Sequence, residues 1–136
     1  KIMKHFHTTI NHLSRQVSSF FDEQLSEFGL ATSYVELLLI IRSNGSCTQK
    51  TASELLGLAP STITRFADKL VKQELIEKEK DGRESILKLT QKGIDTTRKM
   101  EVVYRETETK LKEKLGDKYL ETTGKLLNYG VETFSD

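Results

Sequence analysis

The sequence predicts a mainly helical fold with one small β-hairpin, and three observations carry that prediction. A single proline, Pro60, interrupts the 136 residues, so long helices are unobstructed. Apolar residues recur every three or four positions toward both ends of the chain, the period of one helix face. Asp81-Gly82 stands between two short runs, the pairing that marks a tight hairpin turn.

In order along the chain, Ile2, Phe6, Ile10, Leu13, Val17, Phe20, Phe21, Leu25 and Phe28 draw one stripe, a helix of about seven turns. A stripe that long needs a long partner. Either a helix of a second subunit or this chain's own later helices would serve, and both readings stand. Gly29 stops the helix. A second helix over 33–43 is apolar nearly all round and should be central. Asn44-Gly45 ends it. Two short helices follow, over 49–56 and 60–73. Gly57 after the first and Pro60 opening the second give the expected punctuation. Strands over 75–80 and 84–90 form the hairpin, and helices over 92–115 and 118–133 close the chain. The centre therefore reads as a helix, a helix-turn-helix and a two-stranded wing, with long helices on both sides. The expected organisation is an N-terminal helical segment over 1–32, a winged helix-turn-helix over 33–91 and C-terminal helices over 92–136, the flanking segments being the dimerisation helices if the second-subunit reading holds.

Composition narrows the function. Hydrophobic residues make up 36% and charged residues 30%, too apolar for disorder and too charged for a membrane protein. The longest aliphatic run, from Leu37 to Ile41, is far shorter than a spanning helix needs. The first residues carry no signal-peptide pattern, and the start at Lys1 leads us to expect native residues ahead of it. One cysteine excludes an internal disulfide framework, and a reducing cytoplasm is the expected location. The net charge of +1 argues, as a bulk number, against a nucleic-acid partner.

The segment 60–73 reverses that argument. Ile63, Phe66, Ala67 and Leu70 form its inner stripe. Ser61, Thr62, Arg65, Lys69 and Lys72 are left facing outward, with Thr64 and Asp68 beside them. Hydroxyls and backbone N–H groups in a first helical turn can hold a phosphate, and Arg65, one turn on, can reach a base edge. A solvated helix would look similar taken alone, but the hairpin that follows places Arg83 where a wing would touch an adjacent groove or backbone. The charge split agrees. Residues 60–92 hold eight Lys/Arg against six Asp/Glu, whereas residues 1–28 and 29–59 are balanced and 93–136 carry one excess acid.

Five segments in order also resemble the MarR family of winged-helix regulators. Gly29-Leu30 with Val35-Glu36-Leu37-Leu38 is similar to its junction between the first two helices. Leu56-Gly57-Leu58-Ala59-Pro60-Ser61-Thr62-Ile63-Thr64-Arg65 is similar to its recognition segment. Leu70-Val71 with Leu75-Ile76 is similar to the exit into the wing, Asp81-Gly82-Arg83 to the wing motif, and Leu89-Thr90-Gln91-Lys92-Gly93 to the exit from the wing. The resemblance implies a homodimer with interleaved terminal helices and a recognition helix in the major groove of each half-site. It further implies that Asp68 and Asp81 support the wing, Asp68 by pairing with Arg83. Glu84, where a second wing arginine is common, departs from the pattern, and the wing looks short.

The expected function is a double-stranded-DNA-binding transcriptional regulator, most simply a dimeric repressor responsive to a small molecule. Its DNA contacts are expected from Ser61, Thr62, Thr64, Arg65, Lys69, Lys72 and Arg83. An effector pocket would lie between the dimer helices and the winged segment, with Phe6, Phe20, Tyr34 and Tyr104 as lining residues, although each taken singly reads first as an ordinary core aromatic. The alternative is a winged-helix adaptor or anti-repressor with little DNA binding, favoured by the modest charge and Glu84. No catalytic motif and no cofactor loop occurs, so an enzyme is not expected. No metal site is expected either: His5, His7 and His12 lack the three- or four-residue helical spacing of paired ligands. Cys47 would be a redox switch only if its thiolate were stabilised.

Overall fold

The computed structural model describes residues 4–135. The elements run α1 (Phe6–Gln24), a 3₁₀ turn (Ser26–Phe28), α2 (Thr32–Asn44), β1 (Cys47–Thr48), α3 (Gln49–Leu56), α4 (Pro60–Lys72), β2 (Ile76–Asp81), β3 (Glu84–Leu89), α5 (Gln91–Leu115) and α6 (Asp117–Ser135). The mainly helical class, the hairpin and the order of the helices match the expectation. The first stripe is shorter than predicted: α1 ends at Gln24, and the 3₁₀ turn carries the chain to Phe28. Ile2, its first predicted member, lies outside the described residues.

The core forms where α2 meets α4, α5 and the sheet. Val35, Leu37, Leu38 and Ile41 of α2 are fully buried with Ile63 and Leu70 of α4, Leu87 of β3 and Met100 of α5. The central position predicted for α2 follows from this packing. Its first turn has no capping side chain on Ala31. Asp22 of α1 supplies the cap from outside the helix: its Oδ1 accepts from the Thr32 N–H at 2.8 Å and from the Thr32 hydroxyl at 2.6 Å. A carboxylate there satisfies an orphan donor and faces the positive helix end. Asp22→Ala is therefore expected to cost about 1 kcal/mol in urea unfolding; an unchanged midpoint would show the cap to be idle.

A third strand was not visible in the sequence. β1 pairs antiparallel with β3, Cys47 opposite Leu87 and Thr48 opposite Ile86, giving the order β1-β3-β2. The hairpin turn also sits one residue later than the Asp-Gly pair suggests. Asp81 pairs with Glu84, so Gly82 and Arg83 are the loop residues. Gly82 alone takes a positive φ there, 64°, as expected for a turn with glycine at its first central position.

The hairpin is joined to α5 by a dense knot. Thr90 caps α5, its Oγ1 accepting from the Gly93 N–H at 3.0 Å while its hydroxyl donates to Glu74 O. The Thr90 N–H donates to Leu75 O at 3.1 Å, and Lys92 Nζ donates to Gln73 O at 2.9 Å. Farther along, Arg42 of α2 clamps α5. Its Nε donates to Glu101 Oε2 at 3.2 Å, and its Nη1 to Ile94 O and Thr97 Oγ1, both at 3.1 Å. The central segment is thus held to the long helix by a charge-assisted fork as well as by apolar contact.

α6 differs from the other helices in burying none of its residues. Leu126, Leu127, Tyr129, Val131 and Phe134 are exposed, as are Phe6 and Ile10 of α1. No helix among the described residues is long and apolar enough to cross a membrane.

Candidate nucleic-acid interface

α4 is amphipathic as predicted. Ile63, Phe66, Ala67 and Leu70 are buried, and Ser61, Thr64, Arg65, Asp68, Lys69 and Lys72 are exposed, with Thr62 half-buried. Pro60 occupies the first turn and no side chain caps it. The Thr62 and Ile63 N–H groups both turn back onto Ala59 O, at 3.0 and 3.1 Å. Proline has no N–H, so Ser61 offers the first-turn backbone donor that remains, beside its own hydroxyl. The anion-binding capacity of this helix end is narrower than its sequence suggested.

Thr64 is committed to structure. Its hydroxyl donates to Pro60 O at 3.1 Å and accepts from Gln49 Nε2 at 3.0 Å. Gln49, the first residue of α3, stands at the edge of the exposed α4 face and was missed by the sequence reading. Only the packing of α3 on α4 brings the first side chain of α3 to this surface.

Asp68 does not take the partner implied by the resemblance. Its Oδ1 bonds Lys78 Nζ of β2 at 2.9 Å. Lys78 opposes Leu87, three rungs inside the hairpin end, whereas Arg83 lies in the loop beyond the last rung. A tie between α4 and the hairpin therefore exists, through a strand lysine. Asp68 is 60% exposed and Lys78 26%, so this pair contributes at most about 1 kcal/mol. Arg83 is exposed at the hairpin tip and joins no ion pair among the described residues. Asp81, exposed beside it, is the final strand residue.

The four proposed pocket aromatics are not brought together. Phe6 is 82% exposed. Phe20 lines a small cleft with Leu13, Val17 and Leu111. Tyr34 leaves the pocket altogether and stacks on Phe66 beneath α4, centroids 3.9 Å apart at 19°. Tyr104 lines a separate cavity of about 260 Å³ with Val17, Phe21, Thr32, Ser33 and Glu36. Its hydroxyl donates to Glu36 Oε2 at 2.6 Å. Burial first, then that hydrogen bond and the negative charges of Glu36 and Glu108, hold the phenol proton well above its usual range.

Cys47 is buried and donates to Thr48 O at 3.4 Å. Burial pushes its thiol up, against a smaller opposing effect of the Ala52 backbone. The stabilised thiolate that a redox switch needs is not provided. His5, His7 and His12 are exposed on the first helix and its cap, and no group of three or more metal-ligating side chains is assembled among the described residues.

Residues 32–84 match the family model described as the MarR family. The chain is 29% identical over 94 residues to the uncharacterized HTH-type transcriptional regulator YwoH of Bacillus subtilis (strain 168), covering 68% of this chain and 69% of that protein. The fold is shared with S. aureus MepR in a complex with DNA, at TM-score 0.82 and 18% identity, over 97% of this chain and 99% of the other. It is also shared with a variant of E. coli MarR bound to operator DNA, at TM-score 0.79 and 20% identity, over 90% and 91%. The matched segment and the relative make the chain similar to the MarR family over its central part, and the fold is the one that MepR and MarR share.

Proposed function

We propose that the chain is a sequence-specific, double-stranded-DNA-binding transcriptional regulator that works as a homodimer and represses until an effector is bound. The observation that carries this reading is α4. Its inner face is locked into the core while Arg65, Lys69, Lys72 and Ser61 stand exposed on the outside, with Arg83 at the wing tip. DNA complexes of MepR and of the MarR variant support the same use of the fold.

In this reading residues 33–91 contact DNA while 1–32 and 92–136 join two copies. The unburied apolar side chains of α6 and of the start of α1 support the dimer. Two α4 helices would then address successive major grooves, roughly 34–36 Å apart. Ser61, Thr62 and Lys72 hold phosphates, Arg65 and Lys69 reach the groove, and Thr64, Asp68 and Asp81 brace the surface. Effector control would act at the Tyr104–Glu36 cavity, because α1, α2 and α5 all contribute to its wall. A molecule that prefers one spacing of the two heads shifts the population toward it. The reading involves no catalytic step, cofactor or membrane, and its natural setting is the cytoplasm.

Arg65→Ala tests it. Titration of the DNA flanking the protein's own gene should show specific affinity lowered by about 1–3 kcal/mol, roughly five- to 150-fold, if Arg65 reads a base. A folded variant with unchanged affinity removes Arg65 from the interface. The adaptor reading draws on one observation, the exposed Glu79, Asp81 and Glu84 around Arg83, which weaken the wing's attraction for phosphate. Wild-type protein that gives no salt-sensitive shift on any fragment favours it.

A further inference from the structure

Two cations of the α4 face rest on one aromatic stack. Tyr34, in the first turns of α2, lies face to face with Phe66 of α4. Lys69 Nζ sits 4.8 Å from the centre of the Tyr34 ring, and Arg65 Cζ sits 5.3 Å from that of Phe66. Phe66 is buried and Tyr34 half-buried, while both cations are exposed. The arrangement sets a stacked pair of rings inside the fold beneath two exposed charges outside it.

We infer that Tyr34 is a positioning residue for DNA binding, holding the Lys69 ammonium in place on the recognition surface. A free lysine side chain samples many rotamers, and ordering them on binding opposes affinity. A ring face attracts the ammonium and restricts that sampling before DNA arrives. Phe66 cannot do this alone, because the Lys69 ammonium lies over the Tyr34 ring. Tyr34 belongs to a different helix, so the position of Lys69 is also tied to how α4 sits on α2. The tyrosine hydroxyl plays no part in this role; the ring does.

The inference rests on the DNA-binding reading, and the experiment separates the two. In the DNA-free protein, ring current from Tyr34 should move the Lys69 side-chain methylene protons upfield in NMR spectra. The shift should persist in Tyr34→Phe and vanish in Tyr34→Leu. On specific DNA, Tyr34→Leu should weaken binding about two- to fivefold, while Tyr34→Phe binds as wild type. In a Lys69→Met background the Tyr34→Leu change should have little further effect. Equal losses in both backgrounds would mean that Tyr34 only supports the fold, and would overturn the inference. Lys69 protons at ordinary shifts in the wild type would overturn it as well, even if Tyr34→Leu fails to fold. A retained ring-current shift in a wild type that binds no DNA would refute the DNA role while leaving the stack itself intact.

Discussion

Replacing Gly93 with alanine is expected to cost about 3 kcal/mol or more and to loosen the joint between the wing and α5. A Cβ at this position would lie 2.0 Å from Leu75 O and 3.0 Å from Leu75 C, with Leu89 Cδ2 at 3.3 Å. The nearest obstacles are backbone atoms, so no side-chain rotation relieves the overlap. Leu75 O also accepts from the Thr90 N–H, so moving it disturbs the bond that joins the start of β2 to the entrance of α5. For a chain of this size such a loss lowers the melting temperature by roughly 10 °C. Thermal unfolding of Gly93→Ala should show it, and a melting point within a degree or two of wild type would refute the close approach. On the proposed DNA-binding reading, any folded remainder should bind DNA weakly, because the joint sets the angle between the winged segment and the long helix.

The second large effect is expected at the far end of the chain. Val131 and Phe134 lie three apart on α6 and are 65% and 93% exposed, so they contribute little to the fold of a single copy. Changing both, Val131→Glu with Phe134→Glu, puts two carboxylates on the face proposed to pair with a second copy. Sedimentation should show the variant as a monomer where the wild type is a dimer. Two linked reading heads bind more tightly than one by a factor of about 10²–10⁴, and that factor should be lost on a two-half-site operator while affinity for a single half-site barely changes. A variant that stays dimeric would remove this face from the interface. A monomeric wild type with full operator affinity would remove the dimer from the function.

The helices were legible because their apolar residues recur with helical period. The exits from α4 into β2 and from β3 into α5 were covered by the resemblance, whereas the cap of α5 at Thr90 was not read, because Thr90 was placed in the strand. What escaped depends on partners brought from elsewhere. β1 has two residues, too few for any alternation to register. The hairpin register moved by one because Asp81 pairs with Glu84, a choice settled between strands. Of the expected interface, the exposed positions of α4 were readable from helical spacing. The occupied hydroxyl of Thr64, the bond from Asp68 to Lys78 and the removal of Tyr34 from the cavity were not, because each requires knowing which side chain of another element lies opposite. Resemblance shared this limit: it supplied a wing tie for Asp68 but assigned it to the arginine of the tip.

The short strand β1 has a mechanical meaning for the wing. It fastens to β3 at Ile86 and Leu87, so at those rungs the hairpin is the middle of a sheet. Only the rungs Lys80–Ser85 and Asp81–Glu84, with the Gly82-Arg83 loop, project beyond that fastening. A cantilever so short is stiff, and its tip travels little. Arg83 can then meet a duplex only where the seating of α4 delivers one. On the proposed DNA-binding reading, such a wing would act as a fixed gauge of duplex width and curvature, favouring sequences that bend easily toward it without any contact to their bases.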